Sequence, residues 1–167
     1  EMRFIDRVWQ PSRSVICRMA WPRRVIRVDN DRRASVIVRD TAGQERYSSL
    51  SSAYIRDCHA ALICVDTTAE LSTATADATK WVRWARDHFS QQSPAVLVLV
   101  GTKSDLVDQR QVSAAELRAL GRSLRAHHVC ECSALLGLGV DEAFAAAALL
   151  AHDLGINRDA PLRPPPI

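Results

Sequence analysis

Lysine is nearly missing from this sequence. Of 22 basic residues in 167, only Lys80 and Lys103 are lysines, and the rest are arginine. Glycine is scarce too, with six residues, the first of them Gly43. Together these shortages exclude a GxxxxGK[ST] loop upstream of Gly43, because such a loop needs glycines to bring backbone N–H groups around phosphates and a lysine to reach the outer ones. The five cysteines (Cys17, Cys58, Cys64, Cys130, Cys132) are odd in number and form no CxxC pair. That argues against a disulfide framework or a zinc site and fits a reducing, cytosolic compartment. His127 and His128 beside Cys130 and Cys132 raise a metal reading, but alternation along a strand points them to opposite faces, which disfavours it. No signal peptide opens the chain, and the apolar stretches at 95–100 and 143–151 are too short to span a bilayer, so a soluble protein is expected. Arginines crowd the first forty residues without interleaved aromatics or an RNA-module motif, and no nucleic-acid partner is expected.

The chain is the right length for one domain, and 47% hydrophobic content is enough to fill a single core. Ala60–Val65, ending at Asp66, and Ala95–Val100, ending at Gly101, are continuous apolar runs. Strands apolar on both faces belong in a parallel sheet covered by helices. Helices are expected at 70–89 (with Trp81 and Trp84 as core), at 113–125 and at 140–154. The second opens on a capping box, Ser113 and Glu116, and buries Leu117, Leu120 and Leu124. In the third, Phe144, Ala148 and Leu149 offer an apolar stripe. Upstream, Val25–Val28, the polar Asp29–Asp31 and Ala34–Val38 read as a β-hairpin, an antiparallel pair at one edge. The alternation predicts a doubly wound α/β fold.

Three segments carry chemistry, each at the carboxyl end of a strand, where open α/β sheets bind ligands. The first is Asp40-Thr41-Ala42-Gly43-Gln44-Glu45. There an aspartate can reach Mg²⁺ through water, a glycine lets an N–H approach a terminal phosphate, and a glutamine can orient an attacking water. The second is Gly101-Thr102-Lys103-Ser104-Asp105. An aspartate accepts two hydrogen bonds from the N1–H and N2–H edge of guanine, which adenine lacks, while a lysine stem packs on the ring face. The third is Glu131-Cys132-Ser133-Ala134-Leu135, where the N–H near Ala134 would meet guanine O6.

In this order the segments resemble the small GTPase family, where they form switch II and the two guanine-recognition loops. The resemblance covers residues 23–155, the expected G domain. It implies the P-loop NTPase-type fold: a mostly parallel sheet with one antiparallel edge hairpin and helices on both faces. Ala53–Asp57, Thr79–Trp81 and Arg110–Ser113 resemble the Rab branch, in particular its Golgi and retrograde-traffic subgroup. Thr102 in place of the usual asparagine is similar to the Rho branch, yet the 27 residues between Asp105 and Ser133 leave no room for the Rho insert helix. The resemblance implies GTP or GDP with Mg²⁺ as ligands. It implies Gln44 as the catalytic residue, Asp40 as an indirect Mg²⁺ ligand, and Asp40, Gly43, Thr102, Lys103, Asp105, Ser133, Ala134 and Leu135 as nucleotide-binding. It implies effector contacts through Tyr47, Leu50, Tyr54 and Ile55, a monomer, and a cytoplasmic or Golgi-vesicle location.

Two features depart from the family. No threonine precedes Thr41 to act as the switch I residue, the surroundings of Ser12 and Ser14 do not resemble switch I, and Arg39 stands where a tryptophan usually precedes the switch II aspartate. The phosphate loop and first central strand are missing or replaced. Met2–Asp6 resembles the end of the helix that follows the loop, so residues 1–22 read as a remnant of that helix and of switch I, while 156–167 read as an extended proline-rich tail. Losing about five phosphate hydrogen bonds at roughly 1 kcal/mol each weakens binding by about 5 kcal/mol, or several thousandfold. Without the strand, two inner sheet edges lie open unless Val15–Cys17 or the N-terminal segment fills the gap. Two expectations stand: a Rab-like GTPase of vesicle traffic that binds nucleotide weakly in this chain, or a degenerate relative acting as an interaction module. The first residue is Glu1, which leaves open a fragment or incomplete gene model. No cysteine follows Cys132, so no lipid anchor is expected at the stated end.

Overall fold

The computed structural model describes residues 23–27, 33–38, 58–89 and 95–154. Strands β1 (Arg23–Arg27) and β2 (Arg33–Ile37) are followed by β3 (Ala60–Asp66), α1 (Leu71–His88) and β4 (Val96–Thr102). A 3₁₀ turn at Val107–Gln109, α2 (Ala114–Ser123), β5 (His128–Glu131) and α3 (Val140–Asp153) complete the order. β1 and β2 pair antiparallel, with Arg23 opposite Ile37 and Arg27 opposite Arg33. Both strands start earlier than the hydrophobic pattern predicts, so the connection is residues 28–32. β3, β4 and β5 form a parallel sheet in that order.

β4 is central, and Ala95 through Gly101 are all buried. Alternation sends Leu97 and Leu99 to one face, where they pack with Ile63, Val65 and the buried sides of α1 and α2. It sends Val96, Val98 and Val100 to the other face, against α3. Helices therefore cover both faces, as expected of a parallel sheet. α1 buries Ala74, Ala78, Val82 and Ala85; three alanines in this stripe let the helix lie close to the sheet. Trp81 and Trp84 flank that core, edge to face with ring centres 5.8 Å apart. The capping box of α2 forms as predicted: Ser113 N–H donates to Glu116 Oε2 at 2.8 Å, and Glu116 N–H donates to Ser113 Oγ at 3.2 Å. Arg86 closes the other end of α2, donating to the Leu124 carbonyl at 2.6 Å, where the dipole favours a cation.

Two readings of the sequence need correction. The buried stripe of α3 is Ala143, Ala147 and Ala151, whereas Phe144, Ala148 and Leu149 are only half-buried. Cys130 and Cys132, two residues apart, share the face packed on α3 instead of lying on opposite faces, because strand alternation returns every second side chain to the same side. The hairpin and the parallel sheet are not hydrogen-bonded to one another among the described residues, but α3 packs against both. Val15–Cys17, weighed as a filler of that gap, lies outside the described residues. No described helix is long and apolar enough to cross a membrane.

Candidate functional site

Loops leaving the carboxyl ends of β3, β4 and β5 lie side by side because the strands are parallel and in register, with Asp66 beside Thr102 and Gly101 beside Glu131. At the end of β3, Asp66 Oδ1 accepts from the Thr68 N–H at 2.9 Å and the Thr68 hydroxyl at 2.7 Å, a turn in which the carboxylate stands in for a backbone carbonyl. Thr67 is fully buried, and its hydroxyl donates to the Thr102 carbonyl at 2.8 Å. Its own carbonyl accepts from the Gln111 and Val112 amides at 2.9 and 3.0 Å.

The loop after β4 starts inside the strand. Thr102 donates its hydroxyl to the Val65 carbonyl at 3.1 Å, tying the loop to β3. Lys103 has φ 60°, a left-handed conformation that costs a side-chain-bearing residue energy and persists only when its surroundings enforce it. Its ammonium lies 2.6 Å from Asp66 Oδ2. Ser104 N–H donates to the Cys132 carbonyl at 3.1 Å, and Cys132 N–H to the Gly101 carbonyl at 2.8 Å. The second and third loops are thus stitched by backbone bonds.

The third loop supplies Ser133, fully buried, whose hydroxyl donates to Asp105 Oδ1. Ser133 Oγ also accepts from the Leu136 N–H at 3.1 Å, and Ser133 N–H donates to the Leu138 carbonyl at 2.8 Å. These bonds hold the Asp105 carboxylate by one oxygen. Its other oxygen and the Ala134 N–H have no partner among the described residues. Behind the loop, Arg110 grips Glu131 with both terminal nitrogens, one at 3.2 Å, and donates Nε–H to the Val112 carbonyl at 2.8 Å.

Burial pushes the Asp66 carboxyl up, but hydrogen bonds from Lys103 and Thr68 outweigh it and leave the group below its ordinary value. Burial pushes the Cys132 thiol up to about 12, with neighbouring Cys64 and Cys130 adding to it. Burial also raises Cys130, helped by Glu131 and Glu142. Both shifts favour the protonated thiol over the reactive thiolate. Among the described residues no group of three or more His, Cys, Asp or Glu is arranged to hold a metal.

Of the residues singled out from sequence, Thr102, Lys103, Asp105, Ser133, Ala134 and Leu135 come together here. Asp40, Gly43 and Gln44, and the effector candidates Tyr47, Leu50, Tyr54 and Ile55, lie outside the described residues. Sequence reasoning missed Asp66, Thr68 and the Arg110–Glu131 pair. Asp66 had a signal, a lone carboxylate ending an apolar strand next to two threonines.

The carboxyl ends of this parallel α/β sheet thus present a hydroxyl-held carboxylate and an amide without a partner among the described residues. The model of the Ras family matches residues 2–152, and the chain belongs to that family of small GTPases. It is 38% identical to "Ras-related protein Rab11B" of Nicotiana tabacum over 121 residues, 72% of this chain and 53% of the relative. It is 41% identical to "Ras-related protein RGP2" of Oryza sativa subsp. japonica and to "Ras-related protein Rab11A" of Nicotiana tabacum, each over 105 residues, 63% of this chain and 46% of the relative. These similarities agree with the Rab-branch resemblance of the connecting segments. The chain spans about half the length of the curated relatives it matches.

Proposed function

We propose that this end of the sheet recognises guanine, as part of a Rab-type guanine-nucleotide switch in vesicle traffic. The carrying observation is the Ser133–Asp105 bond, which fixes the carboxylate by one oxygen, while its other oxygen and the N–H of Ala134, the residue after Ser133, have no partner among the described residues. A carboxylate so placed accepts from the N1–H and N2–H edge of guanine, and the amide donates to O6; adenine offers neither that donor pair nor that acceptor. The Lys103 stem lies along the ring face, and exposed Leu135 contributes apolar cover. Thr102 supports the loop through its bond to Val65. A guanine nucleotide with Mg²⁺ would supply the γ-phosphate whose loss resets such a switch. Asp40 would hold the ion through water, Gly43 would meet the γ-phosphate, and Gln44 would orient water for attack.

Because the sequence contains no GxxxxGK[ST], we infer that these 167 residues alone hold the phosphates weakly. Vesicle or Golgi association, and effector binding through Tyr47, Leu50, Tyr54 and Ile55, belong to the same proposal. The test is an NMR titration with GDP and with ADP. GDP is expected to shift the amides of Asp105, Ser133 and Ala134, with ADP leaving them in place; equal responses would refute the reading. Submicromolar, Mg²⁺-dependent GDP binding would refute weak phosphate binding. A second reading, an interaction module that no longer cycles, is favoured by Arg39 and by the absence of threonine before Thr41. Hydrolysis of GTP by the protein in a single-turnover assay would exclude it.

A further inference from the structure

The guanine-recognition reading accounts for Asp105, Ser133 and Ala134 but not for Asp66, a carboxylate on a different strand that faces the same loops. Lys103 carries two independent marks of being held: a left-handed backbone at φ 60° and an ammonium 2.6 Å from Asp66 Oδ2. Asp66 is itself held, since Thr68 donates to Oδ1 from both its amide and its hydroxyl. The two oxygens of Asp66 thus divide their work: Oδ1 closes the turn after β3, while Oδ2 anchors the lysine. The β3–β4 register, which sets Asp66 beside Thr102, brings the groups within reach.

We propose that Asp66 is a positioning residue for base binding: it holds the Lys103 side chain by its ammonium, so that the stem is placed for the ring face before the base arrives. A lysine held this way has already lost the rotamer freedom that a free side chain would lose on binding. This rests on the guanine reading above, and it adds an affinity determinant that Asp105 and Ser133 do not supply. Asp66 acts on affinity and not on the choice of base, because the lysine stem meets a ring face common to all bases, whereas Asp105 meets an edge peculiar to guanine.

Asp66→Asn separates the two oxygens' tasks. The amide keeps an acceptor for both Thr68 donors and loses the charge that anchors the ammonium. The expected result is GDP affinity by NMR titration lowered about three- to tenfold, with the GDP-over-ADP preference retained and the urea midpoint near that of the parent. Lys103→Met is expected to lower affinity as well, and adding Asp66→Asn to it should produce no further loss, because Asp66 acts only through Lys103. Unchanged or tighter GDP binding in Asp66→Asn overturns the assignment, as does an equal loss in the Lys103→Met background. Failure of the parent protein to prefer GDP over ADP overturns the guanine reading itself, a different outcome from either.

Discussion

Replacing Gly139 by alanine tests how closely α3 is set against the end of β5. Gly139 caps α3 with φ 71° and ψ −2°. A Cβ there would overlap the Glu131 carbonyl oxygen and stand 3.1 Å from Cys132 Cα and 3.2 Å from the Glu131 carbonyl carbon. All three atoms are backbone, so no rotamer change relieves the contact. Gly137, two residues earlier, has nearly the same dihedral, φ 69°, and nothing within 4 Å of its added Cβ. The left-handed conformation costs an alanine about 1–2 kcal/mol, offset by about 0.4–1 kcal/mol of unfolded-state entropy. Gly137→Ala should therefore lose only about 0–1.6 kcal/mol. Gly139→Ala carries the same term and must also push α3 off the strand, which adds about 1–3 kcal/mol for overpacking and brings the total to about 1–4.6 kcal/mol. Urea unfolding at constant slope measures both. The displacement should also disturb the site, since Glu131 and Cys132 lead directly into Ser133 and its bond to Asp105. Equal destabilisation by the two substitutions would refute the close-approach argument.

Leu97→Ala should lose about 2–5 kcal/mol in the same assay, because Leu97 is 1% exposed in the core under α1 and α2 and its neighbours cannot collapse fully onto the void; a loss below 1 kcal/mol would show a looser core. Arg110→Met should lose about 1–3 kcal/mol, since it leaves the half-buried Glu131 carboxylate without its fork, and a cycle with Glu131→Gln should show coupling above about 0.5 kcal/mol. The Asp66 carboxyl sits below its ordinary value in the folded protein, so its contribution to stability is complete above the ordinary carboxylate range and is lost as pH falls through the lowered native value. Lys103→Met should accordingly flatten the fall in urea midpoint as pH drops below the ordinary carboxylate range. An unchanged acid limb would mean the pair contributes nothing, as solvent screening makes many exposed pairs do.

Much of the fold was legible because its signals are local or strictly periodic. A six-residue apolar run specifies a strand buried on both faces, and Ser113 with Glu116 specifies a helix start, because each pattern satisfies backbone groups or apolar area within a few residues. The face of α3 was not legible. Every position from Ala143 to Ala151 is apolar, so periodicity offers no contrast, and the structure selects the alanines that permit close approach. The site divides in the same way. Asp105, Ser133 and Ala134 announce themselves by segment and order, but the Lys103–Asp66 pair joins residues 37 apart, and only the parallel register of β3 and β4 brings them together.

By itself, then, the sequence determined the family, the strand and helix order, and the segments in which the proposed guanine-reading residues lie. It also determined that no GxxxxGK[ST] lies within these 167 residues. The tertiary structure decided which carboxylate oxygen is left open, which lysine is held and by what, and which small residues α3 lays against the sheet. The physical reason is range. Backbone satisfaction and hydrophobic period act over a few residues and are written into the chain, whereas the orientation of a side chain at a strand end is set by neighbours that only sheet register supplies.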